Sequence, residues 1–260
     1  MVEGARLESV YTLVAYRGFE SLRLRQIKFF LKQISELDMH SIPPIFIINL
    51  KRQPDRREKM SRLFDKYGLS YEFVEGVDGT VMPDETFNFL YNDTVRKNAG
   101  WADFPMQKTT VAAYLAHVNL FERMIKENIA EAIIFEDDVE FSDDFVEIIK
   151  RQDQLPKNYE LIYFDHDKAK SYPKFKKIYK DYKCVRYRRM SKHSKRTIIY
   201  CGAYQLSRAG AIKLFSHAFP IVMPIDYMMG HLNINKLRCY GIEPLCCRQN
   251  QRDNPSVHYL

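Results

Sequence analysis

The spacing of apolar and polar positions changes at residue 42, where an α/β pattern begins. Ile45, Phe46, Ile47 and Ile48 follow Pro43 and Pro44 as an unbroken apolar run, the signature of a strand buried on both faces. Asn49 and Leu50 close that run, and the polar segment KRQPDRREKM follows with Pro54 suited to a first helical turn. Residues 71–74 predict a second strand, left through the turn-rich Glu75-Gly76-Val77-Asp78-Gly79. Over residues 82–104 the periodicity fades, which predicts a loop of the lid or binding type carrying the only tryptophan, Trp101. Val111, Tyr114, Leu115, Val118, Phe121 and Ile125 then recur at helical spacing, with Thr109 or Thr110 as the expected cap. His117, beside that stripe, reads as a packed, hydrogen-bonded histidine.

Downstream, Ala132, Ile133, Ile134 and Phe135 predict another buried strand, which stops abruptly at Glu136, Asp137 and Asp138. A short helix is expected over 143–151 and a strand over 161–164. The lysine- and tyrosine-rich residues 168–196 interrupt the pattern, and a strand over 198–206 restores it, with Gly202 and Ala203 leaving room for close approach. Ser207 is placed to cap a helix over 208–217, and Pro220 and Pro224 bracket an apolar stretch before Asp226. No repeat, P-loop or GxGxxG motif is present.

Three carboxylates at the end of a buried strand raise one another's pKa and resist burial unless a cation neutralises them. A hard divalent ion such as Mg²⁺ or Mn²⁺, which borrows phosphate oxygens to complete its shell, would do so and suggests a metal–nucleotide site. The competing reading is a helix start with solvated acids. The strand, loop and basic helix start around Arg52 and Arg56 form a natural anion-binding arrangement, although a solvated helix face explains arginines there equally well.

Composition sharpens this picture in two places. A 260-residue chain that is 46% hydrophobic can bury a sizeable core, as one large α/β domain or two small ones. The formal charge of +7 is concentrated: residues 168–196 hold thirteen Lys or Arg against Asp181 alone, a local +12 that leaves −5 elsewhere. That favours a dedicated anionic partner or a basic loop over a protein coated in nucleic acid. Five cysteines, 184, 201, 239, 246 and 247, lack the paired spacing of a zinc site, and no signal peptide or long apolar run precedes them. A reducing, cytoplasmic setting is expected, with peripheral contact to an anionic inner-membrane face as a role for the basic stretch. Residues 1–38 form a separate N-terminal extension before a domain at 39–260. Ile27, Phe30, Leu31 and Ile34 predict an amphipathic helix over 23–37, while residues 2–25 resemble the translation of a transfer-RNA gene, which would make Met39 the true start.

The segments IFIINLKRQPDRREKM, VEGVDG, QKTTVAAYLAHVNLFERM, AIIFEDDVEF, YELIYF, GAYQLSRAGAIKLF and PIDYMM, in this order, resemble glycosyltransferase family 25. That family includes lipopolysaccharide sugar transferases and collagen galactosyltransferase domains. The resemblance implies an α/β, GT-A-like nucleotide-diphospho-sugar transferase fold, with a mixed, mostly parallel sheet flanked by helices. It implies transfer of a sugar, galactose first, from a UDP-sugar donor to a hydroxyl of a glycan or collagen-like protein acceptor, with Mn²⁺ or Mg²⁺. Asp138 then becomes the principal metal ligand, with Glu136, Asp137 and Gln249 around it. Asn49, Leu50, Arg52, Arg56, Asp78 and Lys108 fall in the donor site, and Asp226 takes the acceptor hydroxyl, where it would act as base or helix cap. Thr109 and Thr110 stand where the family has glycine and glutamate. The alternative is a catalytically weak module of the same fold that binds RNA or another polyanion through 168–196.

Overall fold

The computed structural model describes residues 42–101, 105–191 and 197–250. The N-terminal extension, its helix over 23–37 and Met39 lie outside the described residues.

Strand β1 (Ile45–Asn49) leads through a tight turn into helix α1 (Pro54–Lys66), whose first residue is the proline. Strand β2 (Glu72–Glu75) follows, then a single 3₁₀ turn, Gly79–Val81, capped by the Asp78 side chain. Helices α2 (Asp84–Leu90), α3 (Asp93–Asn98) and α4 (Lys108–Lys126) precede strand β3 (Glu131–Glu136). Next come β4 (Val139–Phe141), α5 (Asp143–Ile149) and β5 (Leu161–Tyr163). A hairpin of β6 (Ser171–Tyr179) and β7 (Tyr182–Tyr187) is followed by β8 (Ala203–Ser207) and α6 (Arg208–Ser216). Short helices α7 (Ile225–Gly230) and α8 (Leu232–Asn235) and strands β9 (Cys239–Glu243) and β10 (Cys247–Gln249) complete the described chain.

Eight strands form one mixed sheet in the order β2-β1-β3-β8-β5-β9-β7-β6, and β10 pairs with β4 in a small separate ladder. β1 runs parallel to β2 and β3, and β5 parallel to β9, while β8 lies antiparallel between β3 and β5. The unbroken apolar runs follow from helices covering both faces. Phe46 and Ile134 pack with Val118 and Phe121 of α4 on one side, whereas Ile47, Ile133 and Phe135 meet Met60, Phe64 and Phe145 on the other. Phe64 and Phe135 meet edge to face at 5.2 Å. The parallel pair β1 and β3 brings Asn49 and Glu136 out at the same edge of the sheet.

Three expectations are corrected here. Residues 82–101 are not an irregular loop: they hold α2 and α3, of seven and six residues, too short to show helical periodicity in sequence. The Asn92 side chain caps α3, and the buried Arg96 bonds Asp93 and the Trp101 carbonyl, while Met82, Phe87, Leu90, Tyr91 and Trp101 pack on the core. Helix α4 starts at Lys108 with Gln107 before it and no side-chain cap, so neither Thr109 nor Thr110 has that role. The basic stretch does not interrupt the fold, because β7 pairs with β9 and extends the sheet, burying Cys184, Val185 and Tyr187. Its charged residues mask an ordinary strand. Ser207 caps α6 as expected, accepting from the Gly210 amide at 3.1 Å.

Gly210 tests how closely α6 is seated. A Cβ there would lie 2.2 Å from the Glu160 carbonyl oxygen and 2.8 Å from Leu206 Cδ1. Alanine is ordinarily better than glycine in a helix by ~1 kcal/mol, but the backbone contact opposes it. Gly210→Ala is expected to destabilise the fold by about 1–3 kcal/mol in urea denaturation, and a stabilised variant would show that α6 can shift away from the sheet.

Candidate active site

The acids that end β3 separate in three directions. Glu136 faces α4: its Oε1 lies 3.1 Å from His117 Nε2 and accepts from Cys201 Sγ at 3.6 Å, and its Oε2 accepts from the Gln249 amide. His117 Nδ1 is 2.8 Å from the Tyr204 hydroxyl, so the ring bridges Glu136 and Tyr204. Burial alone would push the Glu136 carboxyl up; the bonds from His117, Cys201 and Gln249 outweigh it and hold the group below its usual range. Asp137 turns the other way and accepts from Asn49 Nδ2 at 2.7 Å and from Arg56 Nη1 at 3.0 Å.

Asp138 lies between these arrangements, 4% exposed, with its Oδ2 3.8 Å from Arg56 Nη1 and its carbonyl accepting from the Asn250 amide at 2.8 Å. Burial, then the Glu136 charge, push its carboxyl up to about 7, with Asp137 adding to the rise and Arg56 and Gln249 opposing it. Asp138 is therefore an acid whose charge the protein disfavours. Across Gly202, whose carbonyl accepts the Glu136 amide at 2.8 Å, stands a fourth acid, Asp165. Its Oδ2 is buried without a hydrogen-bond partner among the described residues, and burial followed by the Glu136 charge raises it to about 7. A side chain at Gly202 would meet Val139 Cγ2 at 2.8 Å, the Asp165 Oδ2 at 3.1 Å and the Gln249 Cγ at 3.2 Å, so the close approach requires glycine.

Sequence reasoning named Asn49, Arg56, Glu136, Asp137, Asp138 and Gln249, and the structure brings them together. Asp226 follows Ile225 in the first turn of α7; its Oδ1 accepts from the Tyr227 amide at 2.8 Å and its Oδ2 from the Tyr200 amide at 3.3 Å. Burial raises it to about 6 against those bonds, with the Glu136 charge adding to the rise. Arg52 instead bonds Asp78 at 2.7 Å, while Asp78 also accepts from the Thr80 amide and hydroxyl at 2.9 and 2.7 Å. Leu50 packs where a Cβ on Gly76 would sit, 3.1 Å from its Cδ2. Lys108 ion-pairs with Asp84 at 2.7 Å, so neither it nor Arg52 joins the β3 acids through a direct bond.

Two contributors escaped sequence reasoning. Asp165 carries the same signal as Glu136, an apolar run ending in an acid, LIYFD against IIFED. Cys201 carries none, since a buried cysteine is ordinarily a small hydrophobe.

Carboxylate oxygens are the ligand type a hard divalent cation takes, and a cation would compensate buried carboxyls of disfavoured charge and the orphaned Asp165 oxygen. Among the described residues, however, the grouping whose ligand atoms lie within 4.8 Å of one another is the softer one of His117, Glu136 and Cys201, not the carboxylates of Asp137, Asp138 and Asp165. The hydrogen bonds among those three already account for their approach.

Residues 42–229 match the family described as glycosyltransferase family 25 (LPS biosynthesis protein), and the chain belongs to that family. A Drosophila melanogaster protein named glycosyltransferase 25 family member is 36% identical over 137 residues, 50% of this chain and 22% of its own length. Human procollagen galactosyltransferase 2 is 28% identical over 134 residues, 48% of this chain and 21% of its own. The mouse relative, 29% identical over 111 residues, 41% of this chain and 18% of its own, is named inactive glycosyltransferase 25 family member 3. These matches span about a fifth of each relative's length. The mixed sheet with helices on both faces is the GT-A-like arrangement that membership implies.

The raised carboxyls have a thermodynamic consequence. A group whose native pKa lies near 7 and whose ordinary value is 3.8 binds its proton more tightly when folded, so stability falls as pH rises between those values. In chelator-treated protein, Asp165→Asn is expected to flatten part of this decline and to raise stability at pH 8 by about 1–3 kcal/mol. Urea midpoints at pH 5 and pH 8 read this directly; equal losses at both would show that the Asp165 charge costs nothing.

Proposed function

We propose that this protein is an active glycosyltransferase that moves a sugar, galactose, from a UDP-sugar to an acceptor hydroxyl with the help of Mn²⁺ or Mg²⁺. The observation that carries the reading is the convergence at the end of β3, where Asp138 is buried beside Asp137, Arg56 and Asn49. Asp138 would be the main metal-holding residue, with Glu136, Asp137 and Gln249 fixing its surroundings. A bound cation there would neutralise charge growing on the leaving diphosphate. Arg56, oriented by Asp137, adds a fixed positive charge on the same side. Arg52 and Asp78, bonded to each other, are assigned to the nucleoside end of the donor.

On the acceptor side, Asp226 orients the incoming hydroxyl and takes its proton as that oxygen bonds the anomeric carbon and the bond to the diphosphate breaks. Such a single displacement inverts the anomeric configuration. A surface glycan of the lipopolysaccharide type is the preferred acceptor, supported by the family's description. A collagen-like protein is the second, supported by the name of the human relative.

UDP with Mn²⁺ is expected to raise the melting temperature, a ligand at a hundred times its Kd adding about 2.7 kcal/mol. A panel of nucleotide sugars scored by hydrolysis then identifies the donor. Asp138→Asn should cut turnover roughly a hundredfold or more while the protein still folds. No thermal response to UDP and Mn²⁺, together with no hydrolysis of any donor, would place this chain with the relatives named inactive.

A further inference from the structure

The β6–β7 hairpin is a second charged feature that the transferase reading leaves unused. Residues 168–191 carry ten Lys or Arg against one acid, Asp181. Among the described residues, Lys180 forms the one ion pair of these ten, with Asp144 at 2.6 Å. Residues 171–177 of β6, the outermost strand of the sheet, are all exposed. Lys177 lies directly opposite Lys183 in the ladder, a like-charge pair that destabilises a hairpin in isolation. Lysines on an edge strand discourage strand-to-strand aggregation, but that explanation does not reach Lys183 and Arg186, which belong to the interior strand β7.

Two aromatic side chains are exposed among these charges, Phe175 at 56% and Tyr172 at 47%. Each has a cation over its ring: Lys183 Nζ is 4.5 Å from the Phe175 centroid, and Arg186 Cζ is 5.8 Å from that of Tyr172. The outer strand of this ribbon is exposed along seven residues, with a register shift between Ser171 and Phe175, and it carries charges and rings on both of its faces. Seven of the ten cations are lysines, which act as hydrated point charges instead of planar forks for single phosphates. Diffuse charge along an exposed edge, with aromatic rings that can sit at a headgroup boundary, fits a surface better than a strand of nucleic acid.

We propose that this hairpin is a docking surface for an anionic lipid bilayer, with the exposed lysines facing the headgroups and Phe175 and Tyr172 seated at their level. The inference is independent of the donor chemistry, since none of these residues touches the β3 acids.

The test is flotation of the whole chain with phosphatidylcholine vesicles and with vesicles that also contain phosphatidylglycerol, across a salt series. The expected result is partitioning that requires the anionic lipid and weakens as salt rises. Lysine is worth about a fivefold change in partitioning near such a surface, so Lys174→Gln, Lys176→Gln and Lys177→Gln together should lower binding on the order of a hundredfold. These exposed positions should leave the melting temperature and its response to UDP with Mn²⁺ unchanged. Equal partitioning to neutral and anionic vesicles, or wild-type partitioning by the triple variant, would overturn the proposal. Retention of single-stranded RNA at a salt concentration where vesicles do not bind would also overturn it, in favour of a nucleic-acid surface.

Discussion

A carboxylate held inside a protein must be given donors or it will take a proton, and Glu136 is where this chain meets that constraint. His117 from α4, Cys201 from the segment before β8 and Gln249 from β10 each contact it. Once ionised, Glu136 opposes charge on its neighbours, and burial plus that opposition raises Asp138, Asp165 and Asp226 together. One satisfied anion thereby prepares a group of acids that favour either protons or a cation. The arrangement is also reason to see Glu136 as an organiser of the site more than a ligand in it.

Asp137 complements this by spending both oxygens on Asn49 and Arg56. Its bonds join the end of β1 to the start of α1 and to β3. Asp226 has a comparable double engagement through the Tyr200 and Tyr227 amides. The two carboxylates are therefore held in different ways: side chain to side chain at Asp137, and side chain to backbone at Asp226.

Much of this was legible in the sequence because it follows from apolar periodicity. The runs 45–48 and 132–135, and the stripe of α4, could hardly form anything but buried strands and a packed helix. The acids at the end of β3 were conspicuous because they break off an apolar run abruptly. Legibility failed where local signals were short or masked. Helix α2 is short and has no side-chain cap, α3 relies on the Asn92 cap and the buried Arg96, and β7 is hidden by Lys183 and Arg186, whose neighbours across the sheet are invisible in one dimension. Asp165 was missed for a different reason, since only the fold shows that the ends of β3 and β5 flank Gly202.

The small ladder of β4 and β10 carries a further consequence. Gln249 reaches Glu136 across 113 positions of sequence, and the Asn250 amide closes on the Asp138 carbonyl. The site therefore cannot be completed during synthesis until residues 249 and 250 have emerged, long after the acids they partner. The match to the family ends at residue 229, before that segment. The matched residues include the acids, and β10, beyond them, supplies the Gln249 amide that helps hold Glu136 ionised.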